Sequence, residues 1–140
     1  GTAIPLDQVP DGAFSRKLLG DGIAILPQEG AIVSPVDGTL SAIAHTQHAY
    51  IFTSNEGLEI LVHVGLESVG LQGRGFYPLK QPGDPVKAGE PVADVDLLLL
   101  KKKGVPLYTP VVVCEGAENM TFTAETGPVT AGESLLLTLQ

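Results

Sequence analysis

Of the three histidines in this chain, two occupy near-identical settings: Thr46-Gln47-His48-Ala49 and Leu61-Val62-His63-Val64-Gly65. Imidazole can attack phosphorus, hold a metal or shuttle a proton near neutral pH. The two histidines fall at the ends of short runs rich in β-branched, aromatic and apolar residues, Tyr50-Ile51-Phe52-Thr53 and Leu58 to Val64. A tight Asn55-Glu56-Gly57 turn joins those runs, so the second folds back on the first. The predicted result is one hairpin with both imidazoles at its open end. With Glu56-Gly57 as the central turn residues, Tyr50 is expected opposite His63 and His48 as a diagonal neighbour on the same face. Such neighbours lie roughly 7–8 Å apart at the backbone, and a slip of one residue would send them to opposite faces. His45 reads as a surface strand residue.

The elements that must carry this pair are short. Seventeen glycines and eleven prolines punctuate 140 residues. Between them lie runs such as Ile23 to Leu26, Thr39 to Ala44, Met120 to Thr123 and Leu135 to Leu139. Short runs at this spacing predict an all-β fold, an antiparallel sandwich or barrel. Helix is confined to one or two short turns, Ser15 to Leu19 and Asp96 to Lys103. In the latter Asp96 can cap and Lys101 to Lys103 suit the C-terminal dipole. An internal echo predicts a duplicated β motif closing on itself: Pro85-Val86-Lys87-Ala88-Gly89-Glu90 recurs as Pro128-Val129-Thr130-Ala131-Gly132-Glu133. Ser34-Pro35-Val36 has a similar counterpart in Thr109-Pro110-Val111.

Size and composition narrow the function. Residues 1–140 read as a single domain, able to bury roughly two-thirds of its unfolded surface. With 44% hydrophobic residues the chain is globular. Apolar runs such as Leu97 to Leu100 fall far short of the roughly 20 residues that span a bilayer. The formal net charge is −8, and the one cationic run, Lys101-Lys102-Lys103, is too short for a nucleic-acid track. An acidic protein is suited to basic protein partners. The single Cys114 fits a reducing, cytoplasmic setting and reads as a small buried hydrophobe. Gly1 is not an initiator, so the sequence reads as trimmed or cut from a longer chain.

Several short motifs occur in a fixed order: Val9-Pro10-Asp11 with Phe14, Gly20-Asp21-Gly22-Ile23-Ala24-Ile25, Pro35-Val36-Asp37-Gly38-Thr39, Thr46-x-His48-Ala49, His63-Val64-Gly65 with Val69, Gly73-x-Gly75-Phe76 and Val86-Lys87-x-Gly89. Taken together, almost end to end, the chain resembles the glucose-type enzyme IIA domain of the bacterial phosphoenolpyruvate-dependent sugar phosphotransferase system. The resemblance implies a phosphocarrier. His63 would accept a phosphoryl group from the phosphohistidine of the small carrier protein HPr and hand it to the IIB domain of a sugar permease. His48 would donate an N–H to the phosphoryl oxygens, and Thr46 would bond the other nitrogen of His48 and fix its tautomer. No cofactor would be required, since phosphoryl transfer asks mainly for in-line positioning and charge neutralisation.

The resemblance also implies a docking face around the histidines built from Asp11, Phe14, Leu18, Leu19, Glu67, Val69 and Phe76. Glu67 stands where the family usually has aspartate, and Gly12 and Ala13 replace bulkier apolar residues, so this face is thinner. No membrane-binding amphipathic helix precedes Thr2, which points to a lost tail or to a domain of a fused polypeptide. Regulated metabolic enzymes or transporters are further partners to be considered. A second class of function stays open: His48 and His63 supply two ligands of a zinc site, as in a zinc-dependent regulatory module or a metallopeptidase-like centre. They lack a third ligand at a familiar spacing.

Overall fold

Alternation in the two central runs shows why they are strands. In β5 (Ala49–Ser54) Tyr50, Phe52 and Ser54 are buried while their neighbours are half-exposed. In β6 (Glu59–His63) Ile60 and Val62 are buried in the same rhythm. A period of two presents one apolar face to a core and leaves the other for different work. The computed structural model describes residues 2–10, 12, 21–28, 30–66, 71–115, 122–124, 127–128 and 137–139.

The remaining strands are β1 (Thr2–Pro5), β2 (Asp21–Leu26), β3 (Ala31–Val33), β4 (Gly38–Ile43), β7 (Phe76–Pro78), β8 (Pro85–Val86), β9 (Pro91–Val95), β10 (Thr109–Glu115), β11 (Phe122–Ala124), β12 (Gly127–Pro128) and β13 (Leu137–Leu139). An eight-stranded sheet runs β12-β1-β2-β10-β6-β5-β4-β8, a three-stranded sheet runs β3-β9-β7, and β11 pairs with β13. The recorded strand pairs are antiparallel. The fold is an all-β sandwich, as the spacing of turns predicts.

The main core lies between the sheets. Ile23, Leu40, Tyr50, Phe52, Ile60, Val62 and Val111 from the large sheet meet Ile32, Val92, Val95 and Phe76 from the small one. The Tyr50 hydroxyl is buried without a hydrogen-bond partner, and burial pushes its pKa up to about 12. A second, smaller cluster on the far face of the large sheet contains Leu6, Val9, Ala24, Leu66 and Val112, with Leu61 packed against it. Leu6 belongs to a short 3-10 turn, Leu6–Gln8, after β1. His63 shares this face with Leu61 by strand alternation.

Helix α1 (Leu97–Lys102) matches the sequence expectation. The Asp96 side chain caps it by accepting from the Leu99 N–H at 3.1 Å, with Lys101 and Lys102 in the last turn and Leu100 as the buried anchor. The other expected helical segment, Ser15 to Leu19, lies outside the described residues. The duplicated motif has an architectural echo. Pro85-Val86 forms β8 and Gly127-Pro128 forms β12, the two terminal strands of the large sheet. Two-residue strands bearing proline blunt edges that would otherwise invite pairing with another chain. Residues 129–136 of the second copy are outside the described set. The lesser echo has no shared conformation: Ser34 and Pro35 lie in a loop, whereas Thr109 and Pro110 lie within β10.

Register departs from expectation by one residue. Ala49, not Tyr50, is opposite His63, and Tyr50 faces Val62. The cause is the turn. Its three residues, Asn55 to Gly57, lie between Ser54 and Leu58, whose backbones bond with each other, and Gly57 takes φ +90°. This is the three-residue hairpin with glycine in the left-handed position, not a two-residue turn. Two other expectations are corrected here. Phe76, expected on an exposed docking face, is 3% exposed and points into the main core opposite Val95. His45 is exposed in the loop before β5 and not in a strand. Cys114 is half-buried beside the smaller cluster.

Candidate functional site

Two loops at one end of the β5–β6 hairpin build the site. The β4–β5 connection is a four-residue loop, His45 to His48, closed by the Ala44 N–H donating to the Ala49 carbonyl at 2.9 Å. Inside it the Gln47 N–H donates to the Ala44 carbonyl at 2.7 Å. The second loop begins at the end of β6. There the Val64 N–H donates to the His48 carbonyl at 2.8 Å, tying the backbones of the two histidine segments together. The Leu66 N–H donates to the Pro106 carbonyl at 2.9 Å, which anchors the second loop to the segment that follows α1.

The imidazoles meet edge to face, with ring centroids 4.8 Å apart and planes at 79°. The pairing survives the altered register because His48 lies outside β5. Strict alternation with Ala49 opposite His63 would put His48 on the other face, and the loop reverses that.

Each ring is fixed through Nδ1. His63 Nδ1 lies 2.8 Å from the Gly65 carbonyl oxygen. A carbonyl only accepts, so Nδ1 donates, and a neutral His63 carries its lone pair on Nε2. His48 Nδ1 lies 2.5 Å from Thr46 Oγ1. When the hydroxyl donates, the ring proton of neutral His48 resides on Nε2. Burial, and secondarily the charge of nearby His63, hold the pKa of His48 below its ordinary value. Both effects favour the neutral ring. One imidazole offers a nucleophilic nitrogen and its neighbour a neutral N–H donor, a combination suited to moving an anionic group.

Three sequence-predicted residues, Thr46, His48 and His63, thus come together. Asp11, Phe14, Leu18, Leu19, Glu67 and Val69 lie outside the described residues. Sequence reasoning missed the Gly65 carbonyl, although Gly65 stands inside the quoted His63-Val64-Gly65 motif. It also missed Gln47, whose backbone is left-handed at φ 61°. Among the described residues no group of three or more His, Cys, Asp or Glu side chains is placed to hold a metal.

The sequence model of the family described as "phosphoenolpyruvate-dependent sugar phosphotransferase system, EIIA 1" matches residues 1–119. The chain belongs to this family, as a glucose-type enzyme IIA domain. The enzyme IIA domain is 41% identical over 140 residues to the glucose-specific EIIA component of Haemophilus influenzae, covering all of this chain and 84% of that protein. It is also 41% identical over 137 residues to the glucoside-specific EIICBA component of Staphylococcus carnosus, covering 98% of this chain but only 20% of that longer polypeptide. In three dimensions it is similar to the glucose permease IIA of Mycoplasma capricolum, with a TM-score of 0.89 and 34% identity over 98% of this chain and 89% of that one. This enzyme IIA domain is a phosphotransferase component in sugar uptake. The zinc reading gains no support from these relatives. Among the described residues no helix is long and apolar enough to cross a membrane.

Proposed function

We propose that the 140 residues form one phosphocarrier unit, with His63 accepting a phosphoryl group from phospho-HPr and passing it to the IIB domain of a sugar permease. The observation that carries this reading is the edge-to-face histidine pair with both Nδ1 atoms engaged. In the first step the Nε2 lone pair of His63 attacks phosphorus in line. The donor's N–P bond breaks, and its electron pair returns to the donor imidazole, which then takes up a proton. In the second step the His63 N–P bond breaks as the nucleophile of the IIB domain forms its own bond to phosphorus. The His48 N–H stabilises charge on the equatorial oxygens in both steps, and Thr46 holds the tautomer that makes this donation available. A neutral His48 donates without fixing the phosphoryl group by a full positive charge, so the group leaves as readily as it arrives.

The docking residues are proposed on the resemblance. Asp11 and Glu67 would steer a basic carrier, and Phe14, Leu18, Leu19 and Val69 would form the apolar centre. Rim charges act mainly on encounter rate. Asp11→Lys combined with Glu67→Lys therefore slows uptake from phospho-HPr several-fold and flattens its salt dependence. The deciding experiment for the reaction is incubation with phosphoenolpyruvate, enzyme I and HPr, followed by intact mass. A phosphoryl adduct lost in acid and stable in alkali supports the phosphohistidine. Absence of an adduct, or an acid-stable one, refutes it.

A further inference from the structure

The face on which His48 lies is not the one its strand would give it. Ala49 is opposite His63 in the ladder, so an extended chain would direct His48 to the other side of the sheet. The reversal occurs within the four-residue loop, and its one residue in the left-handed region is Gln47, at φ 61°. Glutamine is not a residue that favours this conformation; glycine, asparagine and aspartate are. A left-handed residue of another type persists where its surroundings hold it, and such residues gather at functional sites.

What holds Gln47 is visible next to it. Its N–H donates to the Ala44 carbonyl at 2.7 Å, which fixes the loop from one side. On the other side stands the turn Leu71–Gly75, braced by the Arg74 N–H donating to the Leu71 carbonyl at 3.1 Å and by the Phe76 N–H donating to the Gly73 carbonyl at 3.3 Å. A β-carbon placed on Gly73 would lie 3.4 Å from Gln47 Oε1 and 3.8 Å from the Thr46 carbonyl oxygen. The Gln47 amide therefore rests over a glycine that presents no side chain. Gly73 itself takes φ +89°, a second reason for glycine there. Gly73, the first residue of the Gly73-x-Gly75-Phe76 motif and one that the phosphoryl chemistry leaves without a role, lies against the histidine loop, while Gly75 faces Leu99 and Leu100.

We propose that Gln47 is a positioning residue: its left-handed backbone turns His48 onto His63, and its side chain, seated over Gly73, holds that turn. This extends the reading of His48 as the phosphoryl-oxygen donor and rests on it for its kinetic consequence, but not for its geometric one. The test uses the whole domain with three substitutions, Gln47→Asn, Gln47→Gly and Gln47→Val. The histidine ring nitrogens are titrated by NMR, and phosphoryl uptake from phospho-HPr is timed separately from delivery to the IIB domain.

A β-branched residue resists left-handed geometry most. In Gln47→Val the His48 midpoint rises toward its ordinary value of 6.5 as the ring leaves His63. Delivery falls about tenfold, equivalent to about 1.4 kcal/mol in the barrier. Gln47→Asn supplies a left-handed preference that glutamine lacks and keeps an amide on a shorter arm, so it stays nearest the parent in both readouts. Gln47→Gly keeps the turn but loses the seated side chain, giving a partial rise of the midpoint and a smaller loss of delivery. A parental His48 titration in Gln47→Val overturns the proposal. Should that variant fail to fold, Gln47→Gly decides: parental ring shifts there overturn it, and altered shifts restored by asparagine support it. A moved His48 midpoint with unchanged delivery upholds the positioning role and refutes the part assigned to His48 in transfer.

Discussion

Strand β5 has two ends, and the polar groups at them behave differently. At the Asn55–Gly57 end the Asn55 N–H donates to the Asp37 carbonyl at 3.0 Å, and the Asp37 carboxylate accepts from the Ala88 N–H at 2.8 Å. Nearby, Lys80 and Glu90 pair at 2.7 Å, and Glu90 also accepts from the Lys87 N–H at 3.1 Å. Each of these charges is answered by backbone or by its opposite, so the arrangement holds the β8 turn against the sheet. At the histidine end Nδ1 of each imidazole is held, by the Gly65 carbonyl for His63 and by the Thr46 hydroxyl for His48. The contrast teaches that a side chain with one polar terminus is readily consumed by the fold. A ring with two nitrogens can be anchored and still do chemistry.

The sharpest way to break this comparison is His63→Ala. Phosphoryl uptake is expected to vanish in intact mass after incubation with phospho-HPr, while the melting temperature moves only a few degrees because His63 is half-exposed. Uptake at the parental rate would put the acceptor elsewhere.

His48→Gln comes next. The acceptor remains, so the adduct still forms, but delivery to the IIB domain slows by about a hundredfold with loss of an oriented donor. Quench-flow transfer measures it, and equal delivery by variant and parent would reduce His48 to a structural neighbour. Thr46→Val removes the hydroxyl bonded to His48 Nδ1 while keeping shape. Its expected cost is about tenfold in delivery, the worth of one hydrogen bond that sets a tautomer.

Acid supplies a milder probe of the same end. The pKa of His48 is lowered on folding, so the folded domain binds fewer protons than the unfolded chain as pH falls below 6.5. The stability linked to this group is full above 6.5 and is lost as pH falls through the lowered folded value. Thermal melts across that window, parent against His48→Gln, should show a shallower acid-side slope in the variant. Identical slopes would mean that His48 does not contribute.

The smallest effect belongs to the other end of the strand. Asp37→Ala should lower stability by about 1 kcal/mol through the lost hydrogen bond to Ala88 and leave both transfer rates unchanged. A changed rate would show that the two ends are coupled.

The relatives sharpen the same lesson. A glucose-specific component and a glucoside-specific one are each 41% identical to this chain. What the sequence shares with both is membership of one phosphotransferase family, not a particular sugar.

Much was legible in the residues because it is local. The alternation of Tyr50, Phe52, Ile60 and Val62, the short turn, and Asp96 before a leucine run each act within a few residues. They determined the β5–β6 hairpin and helix α1, and with them the end of the hairpin at which both histidines lie. Tertiary structure alone decided the rest. The pairing of β3 with β9 joins residues some sixty positions apart, such as Ala31 and Asp94, and the pairing of β7 with β9 buries Phe76 where a docking surface was expected. Register turned on whether Gly57 joined a two-residue or a three-residue turn, a difference set by how the strands close and not by residue types. The side of the sheet that His48 occupies was decided by a left-handed Gln47 resting on Gly73, a contact between segments some twenty-six residues apart. Local preference fixes which elements form, because their hydrogen bonds close over short range. The final placement of the His48 ring depends on packing between distant segments, which no local pattern encodes.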